Sequence, residues 1–212
     1  MTYQLVTLRI EGVSGLLMHN PAGSMQQTDT AKPGRSGKKI PKPYDEARAA
    51  LYADTANTLA LDPAEPPAQL FVPSDALREA GIIASKSFRD TTRRGNATME
   101  QRFSASVFLS TERFPLEDMD GKPITSADEQ WTVHTKRAVV QGNGIMRSRA
   151  LVRDWAATAE FEFDDETIDP GFIGLIIKQA GKFPGLLDYR PGKKGPFGRF
   201  RLVSVNGEAF DG

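Results

Sequence analysis

Over residues 3–10 apolar and polar positions alternate, and Tyr3, Leu5, Val6, Leu8 and Ile10 all favour strands. This predicts a first strand, which Gly15-Leu16-Leu17-Met18-His19 would extend. Between 20 and 43 no period holds. Gly23, Gly34, Gly37 and four prolines interrupt a polar, cationic run there, which predicts a long mobile loop. Ala47, Ala50 and Leu51 return to helical spacing, the stretch 59–68 is rich in proline and acid, and 70–73 predicts a short strand. Ser74 is placed as an N-cap, with Asp75 favourable to the dipole, before a helix lined on one face by Leu77, Ala80, Gly81 and Ala84.

Further along, Phe103, Ala105, Val107 and Leu109 fall on alternate positions and predict a strand over 102–110, followed by an exposed acidic turn at 118–123. Residues 131–140 and 144–153 read as two strands joined by Gln141-Gly142-Asn143-Gly144, whose Asn-Gly suits a primed hairpin turn. In the second of these, Arg147, Arg149 and Arg153 share a face with Ile145 and Leu151, so three guanidinium groups should project together. Trp155, Ala157, Ala159, Phe161 and Phe163 alternate with Glu160 and Glu162 in a half-buried strand. Asp169 as N-cap and Pro170 in the first turn then open a helix with Phe172, Ile173, Leu175, Ile176 and Ala180 on its apolar face and Gly181 at its close. A glycine-rich basic loop runs from there into a last strand, where Phe200, Leu202 and Ser204 oppose Arg199, Arg201 and Val203. The resulting order makes one α+β domain over 1–212. Its core is a ferredoxin-like or RRM-like βαββαβ unit with helices on one face. Two large insertions interrupt it, at about 12–73 (basic loop and helix) and about 88–150 (β-rich).

At 212 residues and 23.2 kDa the chain can bury a sizeable core, and with no cysteine it offers no thiolate ligand, thiol nucleophile or disulfide. No apolar run reaches the roughly 18 residues of a spanning helix, and the first residues lack a basic region followed by an apolar one. The expected location is the cytoplasm.

Charge changes the picture more. Twenty-seven basic and twenty-seven acidic side chains cancel, yet the windows 20–43, 86–102, 134–153 and 178–201 hold 22 of the cations against only Asp29, Asp90, Glu100 and Asp188. Signs segregated in this way are what a polyanion site needs, provided that the windows converge in space into one groove. Scattered solvated loops are the plainer alternative. Gly181, Gly185, Gly192, Gly195 and Gly198 lie beside the last basic window and would let a backbone approach phosphates. The segment matches neither the P-loop nor the dinucleotide fingerprint, and a plain loop with turn glycines is the alternative. Phe161 and Phe163 are read as core rather than as base-stacking rings. Phe183, Tyr189, Phe197 and Phe200 are looser stacking candidates. Asp164, Asp165, Glu166 and Asp169 are read as capping and solvating the next helix rather than holding a metal.

The glycine-rich loop after the final helix, the arginine-bearing hairpin at 144–153 and the strand-helix element Leu70-Phe71-Val72-Pro73-Ser74-Asp75-Ala76-Leu77-Arg78 together resemble the RAMP superfamily, the RNA-binding subunits of CRISPR effector complexes. The insertion after strand one is similar to the thumb of the backbone subunits, which polymerise along a guide RNA. Leu16-Leu17-Met18-His19-Asn20 and Gly198-Arg199-Phe200 also look like segments of small phage-encoded proteins. The resemblance implies a non-enzymatic antiviral ribonucleoprotein subunit that assembles side by side on single-stranded RNA, with other effector subunits as further partners. Some members of the superfamily cleave RNA without metal through a histidine, which makes His19, and less so His134, an alternative general acid or base.

The expected function is therefore sequence-independent binding of single-stranded nucleic acid. Phosphate contacts are expected from Lys38, Lys39, Lys136, Arg137, Arg147, Arg149, Arg153, Lys182, Arg190, Lys193, Lys194, Arg199 and Arg201. No cofactor, metal ligand or membrane partner is expected. A phage single-stranded DNA-binding protein, a His19-dependent endoribonuclease and a virion structural protein stand as alternatives.

Overall fold

The computed structural model describes residues 3–22, 42–54, 66–140 and 143–211, without the side chains of 128 and 138–145. The expected loop at 20–43, with Lys38 and Lys39, lies mostly outside these residues, as do much of the stretch 59–68 and Gln141-Gly142; Asn143 and Gly144, expected in the hairpin turn, are instead strand residues paired with Val140 and Val139.

The protein is α+β. Its larger sheet is antiparallel, in the order β10 (Glu208–Ala209), β9 (Phe200–Val205), β1 (Tyr3–Gly12), β8 (Ala156–Asp164), β5 (Arg113–Glu117) and β3 (Phe71–Pro73). The short β4 (Val107–Leu109) pairs with β8 as well, opposite Phe161–Phe163, whereas β5 pairs opposite Ala156 and Ala157. Two helices, α2 (Ser74–Ser85) and α4 (Pro170–Lys182), cover one face. Period-two alternation turns Val6, Leu8, Ile10, Ala157, Ala159, Phe161 and Phe163 inward, all 2% exposed or less. They meet Leu77, Ala80 and Ala84 of α2 and Ile173, Ile176, Ile177 and Ala180 of α4 in one apolar cluster. Each large side chain buried there contributes roughly 1.5–3 kcal/mol. The core reading of Phe161 and Phe163 is thus correct.

The smaller sheet is β2 (Leu16–Leu17), β7 (Asn143–Val152) and β6 (Thr132–Val140). Helix α1 (Pro43–Ala49) packs on it through Ala47 and Ala50, and Tyr44 stacks on Trp131 at 5.5 Å. The two predicted insertions meet in this layer, where Leu16 and Leu17 pair with Val152 and Leu151 and Met18 N donates to Ala150 O, but their bounds need correction: β3, β4 and β5, which fall inside them, are strands of the larger sheet. Leu16–His19 does not prolong β1, because the chain bends at Val13 and Ser14, just after Gly12, where a Cβ would lie 2.3 Å from Trp155.

Three other expectations need correction. Residues 100–106 form a helix, α3 (Glu100–Ser106), not a strand. Met99, Phe103 and Val107 are buried at a spacing of four while Ala105 is exposed, so the helical period decides what the period-two reading also fitted. Pro73, not Ser74, stands at the cap of α2, and the Ser74 hydroxyl is buried without a hydrogen bond. Leu175 is 36% exposed and Ile177 takes its place in the core. Asp169 caps α4 as expected, its carboxylate accepting from Phe172 N at 3.2 Å. No helix among the described residues is long and apolar enough to cross a membrane.

Candidate nucleic-acid interface

The glycine-rich segment after α4 is a compact, internally bonded structure. Gly185 N donates to Ala180 O (2.9 Å), Gly192 N to Pro184 O (3.1 Å), Gly195 N to Arg190 O (3.0 Å) and Gly198 N to Gly15 O (2.9 Å). A Cβ at Gly195 would lie 1.7 Å from Tyr189 O, and one at Gly198, with φ of +69°, 2.0 Å from Leu186 O. These glycines are required by backbone packing, and their amides are already committed to protein carbonyls, so they do not cradle phosphate. The turn-glycine reading is the correct one.

What the segment does is seat itself on the β6–β7 hairpin. His134 and Lys136 lie opposite Arg149 and Arg147, so these four side chains share the hairpin face turned toward the segment. Lys136 Nζ sits 3.5 Å from the centroid of the Tyr189 ring, and His134 packs edge-on against Phe197 at 4.9 Å. At the other end of the segment, Arg199 O accepts from Val13 N and Ser14 N, beside the Leu16–Val152 pairing that precedes Arg153. The windows 134–153 and 178–201 are thereby joined. The window 86–102 is not: Phe88 meets Phe172 at the start of α4, while the glycine-rich segment follows that helix's end, about 18 Å away along its axis. Two of its five cations are also engaged by carboxylates, Lys86 with Glu100 at 3.1 Å and Arg102 with Asp90 at 3.5 Å.

The predicted contact residues divide in two. Lys136, Arg137, Arg153, Lys182, Lys193, Lys194 and Arg199 are exposed and form no ion pair among the described residues. Arg149, Arg190 and Arg201 are held by carboxylates instead. Arg201 donates to Glu11 at 2.6 and 3.0 Å, and Arg190 pairs with Glu79 at 3.7 Å and donates to Leu187 O. Arg149 is only 9% exposed. It lies between Glu46 (3.5 Å) and Asp188 (3.3 Å), and Arg147 also reaches Glu46 at 3.2 Å while remaining exposed. The three arginines expected to project together do not, since Arg153 lies beyond the end of β7 and Arg149 is buried.

Glu46 organises this cluster. Its second carboxylate oxygen accepts from Ser148 N at 3.0 Å, closing the edge of β7 where β2 has ended. Nothing in the one-dimensional pattern marks Glu46, which sits next to Asp45 in the first turn of α1 and reads as an ordinary polar position.

His19 borders the cluster and a cavity of about 500 Å³ that is also lined by Tyr52, Asp75, Glu79, Asp188 and Arg190. Arg149 donates to His19 Nε2 at 3.2 Å, because a guanidinium can only donate, and Nδ1 lies 3.7 Å from Asp188. Burial first, and then the Arg149 charge, hold the imidazole below its ordinary 6.5, against the opposing pull of Asp188. Burial, with Asp75 and Asp188 nearby, pushes the Tyr52 phenol up to about 12, and its hydroxyl donates to His19 O at 2.8 Å. A lowered folded-state value means that, as pH falls below 6.5, the unfolded chain takes up a proton that the native chain does not. Stability is therefore expected to decline from pH 6.5 downward until the native imidazole titrates. In urea titrations over that range His19→Gln should show a flatter pH dependence than the parent, and parallel profiles would disprove the assignment.

The uncovered face of the main sheet is acidic. Glu160 and Glu162 line it, and the register places Glu11 there opposite Arg201. Asp164 accepts from Glu166 N and Thr167 Oγ1, a turn-capping role, and among the described residues no cluster suited to a metal is found. His134 Nε2 is buried without a hydrogen bond among the described residues, and its ring packs edge-on against Phe197. Comparison of the chain with known proteins finds no family model that matches it and no curated protein similar to it.

Proposed function

We propose that the protein binds single-stranded nucleic acid, guide-type RNA in the first instance, without regard to sequence, and assembles side by side along the strand as a backbone subunit of a CRISPR-type ribonucleoprotein. The observation that carries this reading is the pair of basic segments brought together by the Tyr189–Lys136 and Phe197–His134 contacts, with exposed cations that no carboxylate among the described residues neutralises. Carboxylates line the uncovered sheet face, so phosphate is directed to the hairpin and the glycine-rich segment rather than to the sheet. The strand order β9-β1-β8-β5, with α2 and α4 on one face, supports a ferredoxin-like core. The seat of the glycine-rich segment between last helix and last strand supports the RAMP-like reading.

The test is filter binding of a labelled single-stranded RNA with RNA and DNA competitors, alongside gel filtration of the purified protein before and after nuclease treatment. RNA should compete better than DNA of the same length, and nuclease should shrink a large, nucleic-acid-bearing species. Equal or better competition by DNA would favour a phage-type single-stranded DNA-binding protein. A small nucleic-acid-free monomer that binds neither would overturn the proposal.

One observation favours a second reading. His19, whose imidazole burial holds below its ordinary 6.5 and which lines a cavity, is placed as metal-independent RNA cleavage would use a histidine base. Unchanged cleavage of an RNA hairpin by His19→Ala would eliminate it.

A further inference from the structure

Phe183 is 62% exposed, the most exposed large hydrophobic side chain among the described residues. One exposed phenylalanine is ordinary by itself; its setting is what matters here. The other aromatic rings of the glycine-rich segment are occupied: Phe200 is 3% exposed, Phe197 packs on His134, and Tyr189 lies under Lys136. Phe183 makes no ring contact among the described residues. Its backbone is nonetheless held. Phe183 N donates to Gln179 O at 3.2 Å as the cap of α4, Pro184 follows, and Gly192 N donates to Pro184 O. That last bond brings the 3₁₀ turn Pro191–Lys193 against the residue next to Phe183, so exposed Lys193 lies close to Phe183 along the backbone, as exposed Lys182 does in the chain.

We infer that Phe183 is a stacking platform for an unpaired base, with Lys182 and Lys193 on the adjoining phosphates. This deepens the proposed function and rests on it. A ring carried on a fixed stretch of backbone has only its own rotamer to order on binding, and every base offers a face to it, which fits recognition that ignores sequence. The inference also requires unpaired strands, because a duplex keeps its base faces covered.

Phe183→Trp provides the readout, because Trp131 and Trp155 are 5% and 0% exposed and contribute a constant background. Titration with oligo(U) should quench the new emission at saturation, and an abasic oligomer of equal length should not. Phe183→Ala should lose about tenfold in affinity for oligo(U) with the slope of log affinity against log salt unchanged, as expected for removing one stacked base. Phe183→Leu, equally apolar but without the ring, should behave like the alanine variant. If oligo(U) binds while Phe183→Trp is unquenched and Phe183→Ala binds like the parent, stacking at Phe183 is wrong and the proposed function stands. If the parent itself binds no oligomer, both fall.

Discussion

Raising salt from about 50 to about 200 mM is expected to weaken single-stranded oligonucleotide binding by about a thousandfold. Among the described residues, Lys136, Arg137, Arg153, Lys182, Lys193, Lys194 and Arg199 are the predicted contacts left exposed without a carboxylate partner. On single strands each neutralised phosphate contributes a slope of about −0.7 in log affinity against log salt, so engagement of all seven gives about −5. Lys193→Ala combined with Lys194→Ala should flatten the slope by about 1.4 and, near 0.1 M salt, cost about 25-fold in affinity by the same relation. Arg201→Ala should leave both quantities nearly unchanged, since that guanidinium is engaged by Glu11 on the acidic sheet face. A slope near zero would show that these side chains do not meet phosphate. An Arg201→Ala effect as large as that of the double lysine variant would show that the wrong face has been chosen.

The second large effect concerns stability. Glu46→Ala removes the carboxylate that pairs with Arg149 and Arg147 and accepts from Ser148 N, all within a site where Glu46 is 7% exposed. Breaking a buried ion pair from one side leaves the other charge uncompensated and costs about 3–5 kcal/mol; the lower end applies here because Arg149 keeps Asp188 and His19. Against a typical total of roughly 5–15 kcal/mol this is a large fraction. It should appear as a lower urea midpoint with unchanged slope. Glu46→Gln, which still accepts from Ser148 N, should lose less. Arg149→Met added to Glu46→Ala should recover part of the loss, because no unpaired charge remains buried. Additive losses in the double variant would mean that the two residues are not coupled as their geometry indicates.

Much of the fold was legible along the chain, and for a local reason. β1 and β8 each bury residues at a constant interval, and Asp169 with Pro170 marks the start of α4 within two residues. Over 100–109 the same kind of signal misleads, because Phe103 and Val107 satisfy a spacing of two and of four alike. The helical outcome is settled by packing, with Phe103 lying so close to Gly81 of α2 that a Cβ there would be 2.7 Å from its ring. The glycine-rich segment was legible as a glycine requirement and misread as to purpose. Whether a glycine makes room for a ligand or for its own neighbouring carbonyl depends on contacts such as Gly195 against Tyr189 O, six residues apart, and Gly198 against Leu186 O, twelve apart.

By itself, the sequence determined the segregation of charge into basic windows and most of the strands and helices, because both depend on residues close together in the chain. Only the tertiary structure decided which cations are free to act. Arg149 is neutralised by Glu46 across 103 positions and Arg201 by Glu11 across 190. Two basic windows meet because a hairpin and a loop pack together, and the window 86–102 is set apart because it lies at the other end of α4. Electrostatic neutralisation falls off over a few ångströms of space, a distance on which separation along the chain has no bearing.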